Sequence, residues 1–303
     1  NAADLNSITA AVSDTFSYRA TDAAGNYTES MITVNVTPIN DAPINTFPAA
    51  QTTNEDTAKV ITGLSISDVD AASGSMVVTL SVTNGTLTVV GGSASISGSG
   101  TATVTLTGTV ADINSTLSTA DAVTYNPSAN YNGADTLTMV TNDNSNTGSG
   151  GPLNDIDTVA ITLNAVNDAP VSTNDSITIL EDLNNTTNVY AFTSNDFDTY
   201  SDIENDAFTA VTITTLPTDG NIYLNGIAIT AGTTVLVSDI NAGLLTFDPI
   251  LHTDTDSSFN FIVMDAQGLD SVSSYTTTII INPVADAPTD RKSTRLNSSH
   301  VSQ

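Results

Sequence analysis

The sequence predicts an all-β protein built from tandem antiparallel β-sandwiches, and three observations support this class. Short runs alternate apolar and polar residues and are rich in Val, Ile, Thr and Tyr, as half-buried strands are. Turn dipeptides such as Asn84-Gly85, Asp219-Gly220 and Asn225-Gly226 separate these runs. Long helical periodicity is missing, so the Asp-Ile-Asn segments at 112–114 and 239–241 are expected to form single helical turns at most.

Each of three places in the chain shows the pattern of a β-hairpin, in which two alternating strands flank a polar loop. The three segments are DTFSYRATDAAGNYTESMITVNV, DTLTMVTNDNSNTGSGGPLNDIDTVAITLN and SSFNFIVMDAQGLDSVSSYTTTIIIN. Upstream of the second and third segments, VTYNP at 123–127 and LTFDP at 245–249 each follow an Asp-Ile-Asn segment. The agreement indicates a repeat longer than the hairpin itself.

A short acidic phrase that ends in proline follows each hairpin pattern. It reads NDAP at 40–43 and again at 167–170, and a near copy, ADAP, stands at 285–288. The aspartates Asp41, Asp168 and Asp286 lie 127 and 118 residues apart. Because this spacing is near the roughly 100 residues of an immunoglobulin-like sandwich, we interpret each phrase as a joint between two repeats.

The repeats predict how the chain is organised, as part of a longer array. Its last residues stand apart, because the stretch from Asp290 to His300 resembles a translated sequencing adapter and is left out of functional reasoning. A natural basic tail is the alternative. The predicted parts are 1–39, the last two strands of a truncated repeat; 40–166 and 167–284, two complete repeats; 285–289, the joint to a further repeat; and 290–303, an artefactual disordered tail.

The charge balance excludes a nucleic-acid binder. The chain of 303 residues has 33 Asp and Glu against five Lys and Arg, a formal net charge of −28, and phosphate recognition needs clustered basic residues. No cysteine is present, so disulfides cannot stabilise the fold. No apolar run approaches the roughly 18 residues of a membrane span. So many carboxylates repel one another in a compact state, which points to bound cations.

The motifs together resemble the cadherin-like tandem repeats of large calcium-dependent bacterial surface adhesins, including those of the RTX type. Besides the joints, the matching features are the pairs Glu55-Asp56 and Glu181-Asp182, the stretches SDVDA and SNDFDTYSDIENDAF, and NPSANYNGADTLT. The resemblance covers nearly all of 1–289. It departs at the third joint, where Ala285 replaces Asn, and at HTDTDSSFNF, which replaces NYNGADTLT.

The resemblance implies tandem immunoglobulin/cadherin-like sandwiches that bind Ca²⁺ and act as a calcium-rigidified extender in cell adhesion or biofilm formation. The implied location is extracellular or on the bacterial cell surface. The implied partners are calcium ions and an unidentified cell-surface or carbohydrate target, reached through domains outside this chain. Nucleic acid and a membrane span are not expected.

The order of the loops predicts which acids meet. Calcium takes about six to eight oxygen ligands, and successive loops of an antiparallel sandwich alternate between its two ends. The joint, the loop after the second strand and the loop of the final hairpin are therefore expected at the entry end of each repeat. The predicted ligands are Asn40, Asp41, Asp68, Asp70 and Asp143 for the first complete repeat, and Asn167, Asp168, Asp196, Asp198 and Asp265 for the second.

One glutamate follows the first strand of each repeat, Glu55 in the first and Glu181 in the second, and both are expected at the opposite end. There Glu55 would face the joint at 167–168, and Glu181 would face Asp286. Asp135 is a weaker candidate beside Glu55. Asp and Asn also favour turns and helix caps, and Asp112 and Asp239 are expected to serve as caps of short helical turns.

Catalysis is not expected from this sequence. Cysteine is absent, His252 is the only histidine before the tail, and paired carboxylates carry little information in so acidic a chain. Two other functions stay open: an accessory or carbohydrate-binding module of a large secreted enzyme, and a spacer that binds no metal. The absence of Trp argues against a carbohydrate-binding surface and favours the adhesin.

Overall fold

The computed structural model describes residues 10–181, 189–197, 199–250 and 254–284. The chain divides into two compact units, Asn1–Val166 and Asn167–Gln303. Within the described ranges no helix is long and apolar enough to span a bilayer. Several residues and segments discussed above lie outside these ranges: Asp198, His252, Asp286, the joint at 285–289 and the tail at 290–303.

The first unit contains a hairpin followed by a β-sandwich. One sheet has six strands in the order β4-β13-β12-β7-β10-β9, the opposite sheet has three in the order β5-β11-β8, and β3 pairs with β6. The strands are β1 (Val12–Thr21), β2 (Tyr27–Val36), β3 (Ile44–Thr46), β4 (Gln51–Asn54), β5 (Lys59–Val60), β6 (Ser65–Ser67), β7 (Met76–Ser81), β8 (Gly85–Val89), β9 (Ser95–Ser97), β10 (Thr103–Gly108), β11 (Val123–Pro127), β12 (Gly133–Asn142) and β13 (Asn154–Asn164), with helix α1 (Val110–Leu117).

The second unit repeats this plan. A five-stranded sheet in the order β14-β22-β21-β16-β19 lies opposite a four-stranded sheet in the order β15-β20-β17-β18. Its elements are β14 (Asp175–Leu180), β15 (Tyr190–Ala191), a 3-10 helix (Ser194–Phe197), β16 (Ala210–Ile213), β17 (Gly220–Leu224), β18 (Ile227–Ala228), β19 (Thr233–Leu236), α2 (Val237–Asn241), β20 (Leu245–Pro249), β21 (Ser257–Met264) and β22 (Tyr275–Asn282).

The prediction of tandem β-sandwiches is confirmed, and strand alternation explains the two cores. On β7, Met76, Val78 and Leu80 point inward and are fully buried, while the residues between them are partly exposed. The second core is richer in aromatic side chains, and Phe197 meets Phe261 edge to face. The pairing is not antiparallel throughout, because β4 runs parallel to β13 and β14 runs parallel to β22.

The three predicted hairpins are confirmed as β1–β2, β12–β13 and β21–β22. They differ in burial. The apolar face of β1–β2 is exposed, and Phe16 and Val34 on it are 50% and 46% accessible. The equivalent residues of β12–β13, Leu137 and Ile161, are buried by the opposite sheet of their sandwich.

Two local predictions need adjustment. Helix α1 has eight residues, about two turns, rather than one. Its N-cap is Thr109, and Asp112 completes a capping box by accepting the Thr109 hydroxyl and the Thr109 N–H, which lower the pKa of Asp112. Asp239 lies in the first turn of α2, but no side chain caps that helix. The expected Asn225-Gly226 turn joins β17 to β18 with positive φ at both residues.

Candidate metal centres

The entry cluster of the first unit consists of Asn40, Asp41, Asp68, Asp70 and Asp143, and the structure brings all five together. Asn40 is 5% exposed, and its Nδ2 donates to Asp143 Oδ2 at 2.5 Å. Asp143 Oδ1 in turn accepts the N–H groups of Ser145 and Leu153. These bonds hold the joint residue against the loop of the final hairpin.

The other side of the same cluster is the loop after β6. Asp41 donates its backbone N–H to Asp70 Oδ2 at 3.1 Å, and the N–H groups of Asp70 and Ala71 donate to Asp68 Oδ1. Asp68 Oδ2 is thereby left buried without a hydrogen-bond partner among the described residues. Loop backbone and joint backbone together fix where these carboxylates point.

The second unit has the same arrangement with different acids. Asn167 Nδ2 donates to Asp265 Oδ2 at 2.6 Å, as Asn40 does to Asp143. The Asp168 N–H donates to Glu204 Oε2 at 3.0 Å, as Asp41 does to Asp70. The entry cluster of the second unit is therefore Asn167, Asp168, Asp202, Glu204, Asp206 and Asp265.

Within the described part of the second unit, Asp202, Glu204 and Asp206 form a close group of acids. Each offers a carboxylate oxygen, and these three oxygens lie within 4.8 Å of one another. The Asp206 N–H donates to Asp202 Oδ1, which folds the loop back on itself. Tyr200 lines the same pocket as Asp202 and Asp206. Burial, with the nearby carboxylates of Asp202, Asp265 and Asp206, raises the pKa of its hydroxyl to about 12.

Asp196, a predicted ligand, has a different environment. It lies in the 3-10 helix, where its Oδ2 accepts the Thr193 N–H at 2.7 Å and its Oδ1 accepts the Tyr190 hydroxyl at 3.0 Å. Its carboxylate is thus engaged in local structure. Glu204 makes the contact with the joint that Asp70 makes in the first unit, and Asp202 follows the paired serine as Asp68 does. The sequence signal for them is Ser-Asp-Val-Asp at 67–70 against Ser-Asp-Ile-Glu at 201–204.

Asp265 is a buried acid whose surroundings favour its ionised form. It is 1% exposed, and burial alone would raise its pKa. Hydrogen bonds from Asn167 and from the N–H groups of Leu269, Gly268 and Gln267 outweigh burial and lower the pKa of Asp265. The carboxylate is therefore charged and fixed in place.

Oxygen atoms that lack a hydrogen-bond partner test whether these clusters suit a metal ion. Among the described residues of the first unit, Asn40 Oδ1 and Asp68 Oδ2 are buried without a partner. Within the described part of the second unit, the same holds for Asn167 Oδ1, Asp202 Oδ2, Glu204 Oε1 and Asp206 Oδ2. Buried acceptors that face acceptors are costly unless a cation lies between them. The oxygen-only donor set fits calcium.

Glu55 and Glu181 lie at the opposite end of their own units, at the ends of β4 and β14. Glu55 is 1% exposed and Glu181 is also buried. Each accepts a backbone N–H from the segment that leaves the unit, Val166 for Glu55 and Val284 for Glu181. Their predicted role as ligands to the following joint stays a prediction.

Asp135, the weaker candidate, is occupied by the protein itself. Its carboxylate accepts the N–H groups of Thr83, Asn84 and Thr136, and it lies 2.8 Å from the hydroxyl of Tyr125. Burial, with the charge of Asp135 beside it, raises the pKa of Tyr125. This network is structural and leaves the carboxylate little capacity for a metal.

One pH dependence follows from the first cluster in the absence of metal. Burial, together with the hydrogen bond and negative charge of Asp70, raises the pKa of Asp68 from 3.8 to about 6. The folded state binds this proton more tightly than the unfolded chain does, so the contribution of Asp68 to the free energy of unfolding falls as pH rises through this interval. In chelator, we expect the first unit to melt at a higher temperature at pH 5 than at pH 7.

Scanning calorimetry of the wild type and of Asp68→Asn in chelator measures this effect. The amide cannot titrate, so the variant is expected to show a smaller difference between pH 5 and pH 7. Equal pH dependence in the two proteins would show that Asp68 titrates near its ordinary value.

No family model matches the chain, and no curated protein matches it. Solved cadherin extracellular regions are similar to it at low identity. The protocadherin gamma B2 domains 1–5 match at TM-score 0.39 and 13% identity over 90% of this chain and 46% of that one. Mouse cadherin-23 EC22-24 matches at TM-score 0.38 and 16% identity over 90% of this chain and 74% of that one. Mouse protocadherin-24 EC1-3 matches at TM-score 0.36 and 14% identity over 92% of this chain and 81% of that one. The chain spans about half the length of the first of these, and similarity at this level does not assign a function.

Proposed function

We propose that this chain is a calcium-binding extender region of a secreted or cell-surface bacterial adhesin, stiffened by the ions it binds. One observation carries the calcium assignment: each unit gathers acids around its entry joint and buries acceptor oxygens there that have no donor among the described residues. The adhesin assignment is supported by the sequence motifs that resemble cadherin-like adhesin repeats and by the strongly acidic composition.

The residues that would hold the ions follow from the contacts within each unit. In the first unit these are Asn40, Asp68, Asp70 and Asp143, with Asp41 in the joint. In the second unit they are Asn167, Asp202, Glu204, Asp206 and Asp265, with Asp168 in the joint. Bound calcium would supply the positive charge that allows neighbouring carboxylates to stay ionised at short distance.

The chain's own residues prepare these sites before any ion binds. Asn40 and Asn167 donate to the buried acids Asp143 and Asp265, which orients both the amide oxygen and the carboxylate. The backbone N–H groups of Asp41 and Asp168 fix Asp70 and Glu204. Each joint is thus attached to its own unit by side-chain acids, so the charge state of those acids controls how firmly the joint is held.

The expected affinity suits an extracellular protein. Extracellular calcium modules bind with dissociation constants of roughly 10⁻⁴ to 10⁻³ M, which extracellular calcium satisfies and cytosolic calcium does not. The proposal gives the chain no catalytic role. The adhesion target would be bound by domains outside it.

Small-angle X-ray scattering of the chain, with calcium and with chelator, tests the extender function. We expect calcium to increase the maximum dimension and to narrow the distribution of conformations, because neutralised joints lose bending freedom. Magnesium at equal concentration is the control, since it demands a smaller, octahedral site. A scattering curve that calcium leaves unchanged, although calorimetry shows that it binds, would exclude stiffening; no binding at all would exclude the calcium assignment.

A further inference from the structure

Both units fasten the segment through which the chain leaves them in the same way. In the first unit β4 runs parallel to β13, and the Glu55 N–H continues this ladder by donating to Asn164 O at 3.0 Å. In the second unit β14 runs parallel to β22, and the Glu181 N–H donates to Asn282 O at 3.0 Å. Each glutamate therefore lies one residue beyond its strand and still pairs with the exit strand.

The next bond of each ladder has an unusual acceptor. In a regular parallel pair, the residue that donates to one carbonyl accepts, through its own carbonyl, the N–H two residues farther along the partner strand. This rule would join the Val166 N–H to the main-chain oxygen of Glu55. The N–H instead donates to the side-chain oxygen, Glu55 Oε1, at 2.6 Å. The Val284 N–H likewise donates to Glu181 Oε1 at 2.7 Å.

The backbone after Glu55 explains the substitution. Asp56 has φ of +53°, so the chain turns away from the exit strand directly after Glu55. The main-chain carbonyl leaves with the turn, and a side chain of the length of glutamate reaches back across the gap. Both glutamates are buried, and a buried carboxylate is tolerated only when hydrogen bonds compensate its lost hydration.

We propose that Glu55 and Glu181 are positioning residues that clamp the exit segment of each unit by replacing a main-chain acceptor, and that they do so without metal. The clamped amide of Val166 immediately precedes the joint Asn167-Asp168. One oxygen of Glu55 is committed to this amide, and the other accepts Asn132 Nδ2 at 3.4 Å. The clamp goes beyond calcium binding, because it fixes the last residue of the unit in the ion-free protein.

Two conservative variants separate the clamp from a charge effect. Glu55→Gln keeps the length of the side chain and an acceptor oxygen but loses the charge. Glu55→Asp keeps the charge but is one methylene too short to reach the Val166 amide. Hydrogen exchange of individual amides, followed by NMR on the full chain in chelator, reports on the clamp directly, and the amides of the central strand β7 provide an internal control.

We expect the Val166 amide to exchange at least about tenfold faster in Glu55→Asp than in the wild type, and to stay protected in Glu55→Gln. Glu181→Asp and Glu181→Gln should reproduce this contrast at Val284. Unchanged protection in Glu55→Asp would overturn the clamp. Equal loss in both variants would also overturn it, since a neutral acceptor of the same length would then not suffice. A calcium titration of Glu55→Gln is separate, so failure of the calcium proposal leaves this result intact.

Discussion

Calcium is expected to raise the melting temperature of the second unit by roughly 4–16 °C, and a variant that lacks its three loop acids is expected to lose this gain. At about 10 mM calcium and a dissociation constant of roughly 10⁻⁴ to 10⁻³ M, one site stabilises the folded state by about 1.4–2.7 kcal/mol. A domain of this size gains roughly 3–6 °C per kcal/mol. The effect is concentrated at Asp202, Glu204 and Asp206, whose oxygens lie within 4.8 Å of one another.

The matched variant combines Asp202→Asn, Glu204→Gln and Asp206→Asn. These changes keep the side-chain shapes and remove three charges. In chelator the variant is expected to melt at a higher temperature than the wild type, because the repulsion among the carboxylates is relieved. In calcium the order should reverse, because only the wild type gains binding energy.

Scanning calorimetry measures the melting temperatures of the wild type and of the variant, each in chelator and in calcium. The first unit is an internal control, since its entry cluster is intact and its own calcium shift should persist. If calcium raises the melting temperature of the variant as much as that of the wild type, the three loop acids are not calcium ligands. A variant less stable than the wild type in chelator would show that these acids act through structure rather than as mutually repelling ligands.

The sequence predicted the entry cluster of the first unit in full but only part of that of the second. The reason is a difference in chain length between joint and loop. Asp68 follows Asp41 by 27 residues, and Asp196 follows Asp168 by 28, so spacing favours Asp196. The second unit inserts a 3-10 helix before the loop, and the acid in the position of Asp68 is Asp202, 34 residues after Asp168.

Strand pairing identifies which acids of the two units are equivalent, and spacing along the sequence does not. Ile44, which follows the first joint, pairs with Ser67, and Val171, which follows the second joint, pairs with Ser201. The acid after each paired serine is therefore equivalent, whatever the intervening length. The hairpins could be predicted from the sequence alone, because their alternation is local and their paired strands are neighbours in sequence. Contacts such as Glu55 with Val166 join residues far apart and leave no periodic signal.

Asp135→Ala is expected to destabilise the first unit by roughly 3 kcal/mol, with or without calcium, in accord with a structural role. The change removes the acceptor for the Thr83 and Asn84 N–H groups and leaves the Tyr125 hydroxyl with Asn84 O alone. An unpaired donor costs about 1–3 kcal/mol when it is buried, and these two partly buried amides are given the lower value. At 3–6 °C per kcal/mol, the melting temperature should fall by roughly 9–18 °C, as calorimetry can measure. A cost seen only in calcium would instead make Asp135 a ligand.

In the second unit a different pair of residues accepts the equivalent loop amides and fills the equivalent core position, and this pair serves as the matched control. There Ser257 Oγ accepts the Thr218 and Asp219 N–H groups, and Phe247 occupies the place of Tyr125 on the equivalent strand. Where the aromatic ring has no hydroxyl, a serine is enough to accept the two loop amides. Where a tyrosine is present, an aspartate accepts both the loop amides and the phenol.

This exchange predicts coupling between Asp135 and Tyr125. Asp135→Ser alone leaves the tyrosine without its charged acceptor, and Tyr125→Phe alone removes one of the four donors to the buried aspartate and leaves the three backbone N–H groups. The double variant recreates the pair of the second unit, so its loss of stability should be smaller than the sum of the single losses by about 1 kcal/mol. Strict additivity in chemical denaturation would mean that the hydroxyl and the carboxylate act independently. In that case the two units would differ at these positions for reasons of packing alone.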